Sequence, residues 1–477
     1  MTTRQFPAGF TWGTATASYQ VEGAAHADGR GLSIWDTFCA TEGQIDDGSN
    51  GDVACDQYHR YLGDIALMTE LGVGAYRFSV AWPRVQPQAG EPVNQAGLDH
   101  YSRLVDALLA AGIKPVVTLY HWDLPQYLED AGGWPERQTA VRFGDYAALV
   151  ARRLGDRVDT WTTLNEPWCS AYLGYAAGEH APGRRDHAAA LAAAHHLNLG
   201  HGLAVQAVRA EVGDRARTSV TLNLTQAYPA TDSALDRAAA DQIWRIDNDI
   251  WLKPMLEGAY DPQLWADTAQ VTDWAFVRDG DLATIRQPLS VLGLNYYSPV
   301  TVRPLPGAVP AARTADCPVV RPGTEAIEVL APTGPLTDMG WSQEPRGLTD
   351  LLVRLARTYP GLELMVTENG SAFVDTVSPD GLVHDPERVA YLAAHIEALG
   401  QALDAGAPVS GYFAWSLLDN FEWARGYTKR FGLFRTDYDT LERSWKDTAR
   451  WYQALVRSNR APESDWSSAR SGQPPAV

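Results

Sequence analysis

The chain has 477 residues, 45% of them hydrophobic and 20% charged, the balance of a globular protein with a large core. A formal net charge of -19 speaks against phosphate backbones and anionic membranes as partners, because both need clustered cations. No stretch approaches a membrane span, and the opening MTTRQFPAGF lacks the apolar run of a signal peptide, so a cytoplasmic location is expected. Cys39, Cys55, Cys169 and Cys317 are widely spaced with no CxxC pair, which argues against a disulfide framework or a zinc site.

In chain order, residues 10–16 are the first expected strand, followed by an irregular piece over 28–55. Residues 74–80 (GAYRFSV) are the second strand. A helix is expected over 98–113, with Leu98, Tyr101, Val105, Leu108 and Leu109 on one face and Gly112 as its stop signal. Residues 114–120 (KPVVTLY) are the third strand. Tyr146, Leu149, Val150 and Leu154 mark a helix over 145–154, and 159–164 (DTWTTL) is the fourth strand. An irregular piece spans 175–187, and His195 and His196 sit in an Ala-rich helical run as structural residues. Strands five to eight are expected at 218–224, 290–296, 363–367 and 409–415, with irregular pieces at 302–341 and 417–432. Residues 461–477 read as a frayed, proline-bearing tail.

Each strand is short and rich in β-branched or aromatic residues, as strands buried on both faces are. Eight of them alternating with helices predict a single (β/α)₈ barrel domain over 1–460. A doubly wound sheet is the alternative, weakened because no GxGxxG follows an early strand.

Polar residues gather where those strands end. Gln20 follows the first strand and Arg77 lies in the second; His121 and Trp122 end the third. Asn165 and Glu166 end the fourth, and Asn223 belongs to the fifth. Asn295 and Tyr297 end the sixth, Glu368 and Asn369 the seventh, while Trp415, Glu422 and Trp423 follow from the eighth. A closed barrel brings them to one rim. Indoles stack on sugar C–H faces, and amides and carboxylates bond hydroxyls, so the set describes a sugar site. Glu166 and Glu368 are the natural catalytic pair, since glycoside cleavage needs one carboxyl at the leaving oxygen and a second group across the anomeric carbon. A gap of about 5–5.5 Å implies retention and about 6.5–9.5 Å inversion, and sequence leaves both open. Singly, each residue has a plainer reading: His121 as a core histidine, Trp12, Trp122 and Trp415 as packing, Arg77 as an ion-pair partner, Cys169 as a small wall residue, Asn223 as support behind the site.

Five segments together resemble glycoside hydrolase family 1. They are FPAGFTWGTATASYQVEG (Phe6 to Gly23), TLNEP (Thr163 to Pro167), GLNYYS (Gly293 to Ser298), VTENG (Val366 to Gly370) and SLLDNFEW (Ser416 to Trp423), in the family's order. The resemblance implies Glu166 as acid/base and Glu368 as nucleophile of a retaining β-glucosidase on a (β/α)₈ barrel, with no metal or other cofactor. It implies that Gln20, His121, Trp122, Asn165, Glu422 and Trp423 hold the sugar, with Trp415 as the stacking floor. Arg77, Asn295 and Tyr297 would hold and tune the nucleophile, while Trp168, Cys169, Tyr175 and Trp341 would lie toward the aglycone. Expected substrates are small β-glycosides, including β-glucosyl, β-galactosyl and β-fucosyl residues, and short cello-oligosaccharides; a homo-oligomer is compatible with the sequence. Glu422 in place of the Ser of phospho-sugar relatives points to a free 6-hydroxyl.

Overall fold

A computed structural model describes residues 4–90, 92–305 and 320–462. All eight expected strands form: β1 Thr11–Ala15, β2 Ala75–Ser79, β3 Lys114–Tyr120, β4 Thr160–Asn165, β5 Arg217–Leu222, β6 Val291–Asn295, β7 Leu364–Asn369 and β8 Val409–Trp415. Each pairs in parallel with its sequence neighbours, and β8 pairs with β1 to close the barrel. Closure leaves no strand edge, and burial on both faces explains the apolar runs: every residue of β2, β6 and β7 is buried. Helices Gln57–Leu71, Gln95–Ala110, Arg137–Leu154, His187–Val212, Arg346–Thr358, Pro386–Asp404 and Asp447–Ser458 cover the outside.

Two features of the strands shape the rim. Pairing shifts register between Thr162 and Asn165 on β4, and between Val366 and Glu368 on β7. Such irregularities turn a strand end and re-aim its side chains, here on the two strands that carry the acids. Glycine is required where neighbouring strands crowd. A Cβ at Gly293 would stand 2.5 Å from Thr221 Oγ1, and one at Gly370 would stand 1.8 Å from the Trp415 carbonyl oxygen. The glycine of VTENG therefore lets β7 and β8 converge at the mouth.

The helix expected over 98–113 begins and ends earlier, at Gln95–Ala110, and Gly112 takes a φ of +75° beyond it. The helix expected over 145–154 starts at Arg137, because Thr139, Ala140 and Phe143 extend its buried face. Local order reaches into the irregular pieces: helix Ile34–Cys39 lies within 28–55, a π-helical segment Cys169–Ala177 overlaps the start of 175–187, and 302–341 supplies Ile327–Val329 to a small sheet with Val300–Pro304 and Ala227–Pro229. His195 bonds Tyr260 and Asp281, and His196 contacts the Trp134 carbonyl, both inside the protein. Trp12 packs on Phe6 and Phe10, with its indole N–H on Asn459. Cys39, Cys55 and Cys169 are free thiols, whereas Cys317 and residues 463–477 of the expected tail lie outside the described residues. No described helix is long and apolar enough to cross a membrane.

Candidate active site

Arg77 organises the mouth. Its Nη1 donates to Glu368 Oε1 at 2.6 Å and its Nη2 to Asn165 Oδ1 at 2.6 Å. Asn295 Nδ2 also reaches Asn165 Oδ1, at 3.2 Å, and donates to Glu166 Oε1 at 2.7 Å. Thr367 in turn donates to Asn295 Oδ1 at 2.8 Å, which fixes the amide's orientation. Strands β2, β4, β6 and β7 thus meet in one buried network running from Glu368 to Glu166. Asn295, expected beside Glu368, stands between the acids. It donates to Glu166 and also favours the charged form of Glu368.

The two acids have unequal surroundings. Glu368 pairs with the Arg77 cation and accepts from the Tyr297 hydroxyl at 2.8 Å. Glu166 accepts from the Asn295 amide and from the Cys169 thiol at 3.3 Å, both neutral donors. Burial first, then the charge of Glu368, pushes the Glu166 carboxyl up to about 8, against the pull of Asn295, Cys169 and Arg77. Burial raises Glu368 as well, opposed by the charge and hydrogen bond of Arg77 and by Tyr297. A carboxylate held by a guanidinium and a phenol ionises before one held by neutral donors alone. Glu422, a third acid and only half-buried at the mouth, is pushed up to about 8 by loss of solvent contact and by the charges of both others.

The Arg77 contact also sets a tautomer. A guanidinium only donates, so the Asn165 oxygen must face it and the Asn165 amide nitrogen must face His121. His121 Nε2, 3.0 Å away, then accepts, and the proton sits on Nδ1. Burial and Arg77 hold this imidazole well below its ordinary pKa, so it stays neutral. Among the described residues His121 Nδ1 and Gln20 Oε1 are buried without a protein partner. One is a donor and the other an acceptor, the pairing a sugar hydroxyl can satisfy.

Indoles form the rest of the wall. Trp415 and Trp423 each stack near His121, both at 5.9 Å between ring centres, and Trp122 lies 4.5 Å from Trp423. Trp122 Nε1 donates to the Asn165 carbonyl at 2.9 Å, and Gln20 Nε2 reaches Glu422 Oε2 at 3.5 Å. Trp122, Glu166 and Trp423 carry left-handed φ values of 76°, 43° and 51°, costly for side chains that are not glycine. Three strained residues in one site show that the surrounding packing dictates where these side chains point.

Of the residues expected toward the aglycone, Cys169 contacts Glu166. Trp341 packs 5.4 Å from Tyr297, and Trp168 donates to Asp247 at 2.9 Å. Tyr175 differs from expectation. Its ring is buried, its hydroxyl joins Glu129 and the Trp134 N–H, and Arg184 lies over its face. None of these partners belongs to the expected site. Its place in the π-helical segment turns it into the wall. Sequence reasoning missed Trp35, 4.7 Å from Trp423, and His180, 5.3 Å from both Trp35 and Trp122. Both fall in the irregular pieces 28–55 and 175–187, where an aromatic residue was the available signal. Asn223, just beyond β5, donates to Cys169 Sγ at 3.6 Å and so sits behind the site.

A parallel eight-stranded barrel whose C-terminal rim gathers buried carboxyls, amides and indoles is the arrangement of a carbohydrate-cleaving barrel enzyme. The model of glycosyl hydrolase family 1 matches residues 2–461, and the chain belongs to that family. It is 51% identical to a bifunctional β-D-glucosidase/β-D-fucosidase of Bifidobacterium breve, covering 96% of this chain and 99% of that one. The crystal structure of a psychrophilic β-glucosidase from Micrococcus antarcticus superposes with a TM-score of 0.92 at 46% identity, covering 96% of this chain and 100% of that one. A family 1 β-glucosidase from Thermotoga maritima in complex with isofagomine lactam superposes with a TM-score of 0.90 at 41% identity, over 96% and 100% of the two chains.

Proposed function

We propose that Glu368 is the nucleophile and Glu166 the acid/base in retaining hydrolysis of terminal β-D-glucosyl residues, with β-fucosyl and β-galactosyl residues as further substrates. Short cello-oligosaccharides and aryl or alkyl β-glucosides are the expected natural class. The observation that carries this reading is the inequality of the two acids: Glu368 is held by Arg77 and Tyr297, whereas Glu166 is pushed up to about 8 beside it.

In the first step the Glu368 carboxylate attacks C1 while the Glu166 carboxyl protonates the glycosidic oxygen. The C1–oxygen bond breaks, the alcohol leaves and an ester joins C1 to Glu368. Esterification removes the charge of Glu368, so the carboxyl of Glu166 becomes more acidic. Glu166 then takes a proton from water as the water oxygen bonds C1, and Glu368 departs as carboxylate. Two displacements at C1 return the sugar with its original configuration.

Gln20, His121, Trp122, Asn165, Glu422 and Trp423 would hold the sugar, with Trp415 under its face. Gln20 Oε1 and the protonated His121 Nδ1 are the acceptor and donor that support this assignment. Trp168, Cys169 and Trp341 would border the leaving group. Free Cys39, Cys55 and Cys169 fit a reducing compartment such as the cytoplasm.

Azide tests the paired roles. Glu368→Ala should lose turnover and regain it with azide as the α-glucosyl azide. Glu166→Ala with an activated aryl glucoside should give the β-glucosyl azide instead. The same azide anomer from both variants would overturn the assignment.

A further inference from the structure

The Cys169 thiol lies on the proposed acid/base itself. Sγ stands 3.3 Å from Glu166 Oε2, while Asn223 Nδ2 donates to the same sulfur at 3.6 Å. A thiol carries one hydrogen. With the amide supplying a donor from behind, that hydrogen is directed to Oε2. The other carboxyl oxygen, Oε1, is already bonded to Asn295. We propose that Cys169 is a positioning residue for Glu166: anchored by Asn223, it donates to Oε2 and stabilises the carboxylate that must serve as base in the second displacement. This rests on the assignment of Glu166 given above.

Burial and the charge of Glu166 keep the thiol well above its ordinary pKa, so it remains a donor throughout the working range. The other ionisable groups facing Glu166 come from several elements: Glu368 on β7, Arg77 on β2, Tyr297 after β6 and Glu422 after β8. His121, after β3, reaches it through Asn165 and stays neutral. Arg77 is the one cation in this set, and it is bonded to Glu368 and Asn165. Arg77 acts on Glu166 only through its charge; the hydrogen bonds that favour the Glu166 carboxylate come from two neutral donors, Asn295 and Cys169.

The donor favours the base form and opposes the acid form. Cys169→Ala should move the alkaline limb of kcat/KM upward by about half a pH unit, the size expected for one weak neutral hydrogen bond. With an activated aryl glucoside, the initial burst of phenol should persist while the steady-state rate falls several-fold. Cys169→Ser keeps a donor and should leave the limb at or below its wild-type position. Asn223→Ala, which removes only the anchor, should move the limb in the same direction as Cys169→Ala by a smaller amount. Both cysteine variants are read in a Glu422→Gln background, which removes the other acid raised to about 8; there, an unchanged limb in Cys169→Ala, or an equal upward shift in Cys169→Ser, would overturn the proposal. Glu166→Ala, measured alongside, separates the two claims. If it fails to behave as the acid/base variant, the underlying assignment falls; if it behaves so and the cysteine variants leave the limb in place, only the role of Cys169 falls.

Discussion

Arg77 and Glu368 form an ion pair 2.6 Å long, with side chains only 1% and 4% exposed. A buried pair of this kind gains little net stability, yet removal of one partner is severe because the other is left charged in a poor solvent. Arg77→Met should destabilise the fold by about 3–5 kcal/mol. Loss of the cation raises the pKa of Glu368, so the acidic limb of kcat/KM should move to higher pH. Denaturant unfolding and a pH–rate profile measure both. Arg77→Lys should rescue neither fully, since one ammonium cannot copy the two-pronged contact with Glu368 and Asn165.

Tyr297 donates to the other oxygen of Glu368. Hydrogen bonds to charged groups are worth about 1.5–3 kcal/mol. Tyr297→Phe should therefore lower the rate of glycosyl-enzyme formation by about 10- to 100-fold. Burst kinetics with an activated aryl glucoside read that step directly.

As the proposed acid, Glu166 must start protonated, and a carboxyl raised to about 8 should put the alkaline limb of kcat/KM near that pH. Activity per free enzyme should fall above it as the proton is lost. Glu422 is also raised to about 8, so the limb has two candidate owners. Glu422→Gln should leave a limb in place, moved slightly downward because a neighbouring negative charge has gone. Disappearance of the limb in that variant would assign it to Glu422.

Acid catalysis matters most when the leaving group is poor. Glu166→Ala should reduce kcat/KM for cellobiose and alkyl glucosides by about 10²–10⁴-fold. Dinitrophenyl glucoside should be affected far less. A panel of aryl glucosides of graded phenol acidity checks the trend.

Glu422 should also exclude phosphorylated sugars. In the proposed site a Glu422 carboxyl beside the sugar gives a phosphate no counter-charge, and the nearby cations are engaged: Arg425 with Asp46, Lys429 with Asp338 and Arg430 with Asp419. Glu422→Ser should weaken turnover of free glucosides without opening turnover of 6-phospho-β-glucosides. Assays on both substrates decide this.

Much of the fold could be read in advance because parallel barrel strands are buried on both faces, and KPVVTLY or VSGYFAW reads as such a run without help. The rim followed from counting which polar residues end those runs. Other features depend on contacts that chain order does not reveal. The helix Arg137–Leu154 opens with Arg and Gln, which mask its early buried face. Tyr175 resembles a rim aromatic by position, but the π-helical turn directs it to Glu129. Trp35 reaches the site from the short helix Ile34–Cys39 and His180 from a loop, and neither stretch is long enough to show periodicity. The left-handed backbone of Trp122, Glu166 and Trp423 is imposed by packing, since their residue types carry no signal for it.

Trapping the covalent intermediate tests the central claim most directly. Incubation with a 2-deoxy-2-fluoro-β-glucoside bearing a good leaving group should add one fluoroglucosyl mass to the protein. After digestion, that mass should lie on the peptide holding VTENG, at Glu368. A label on Glu166 or on any other residue, or full turnover with no label formed, would contradict the account.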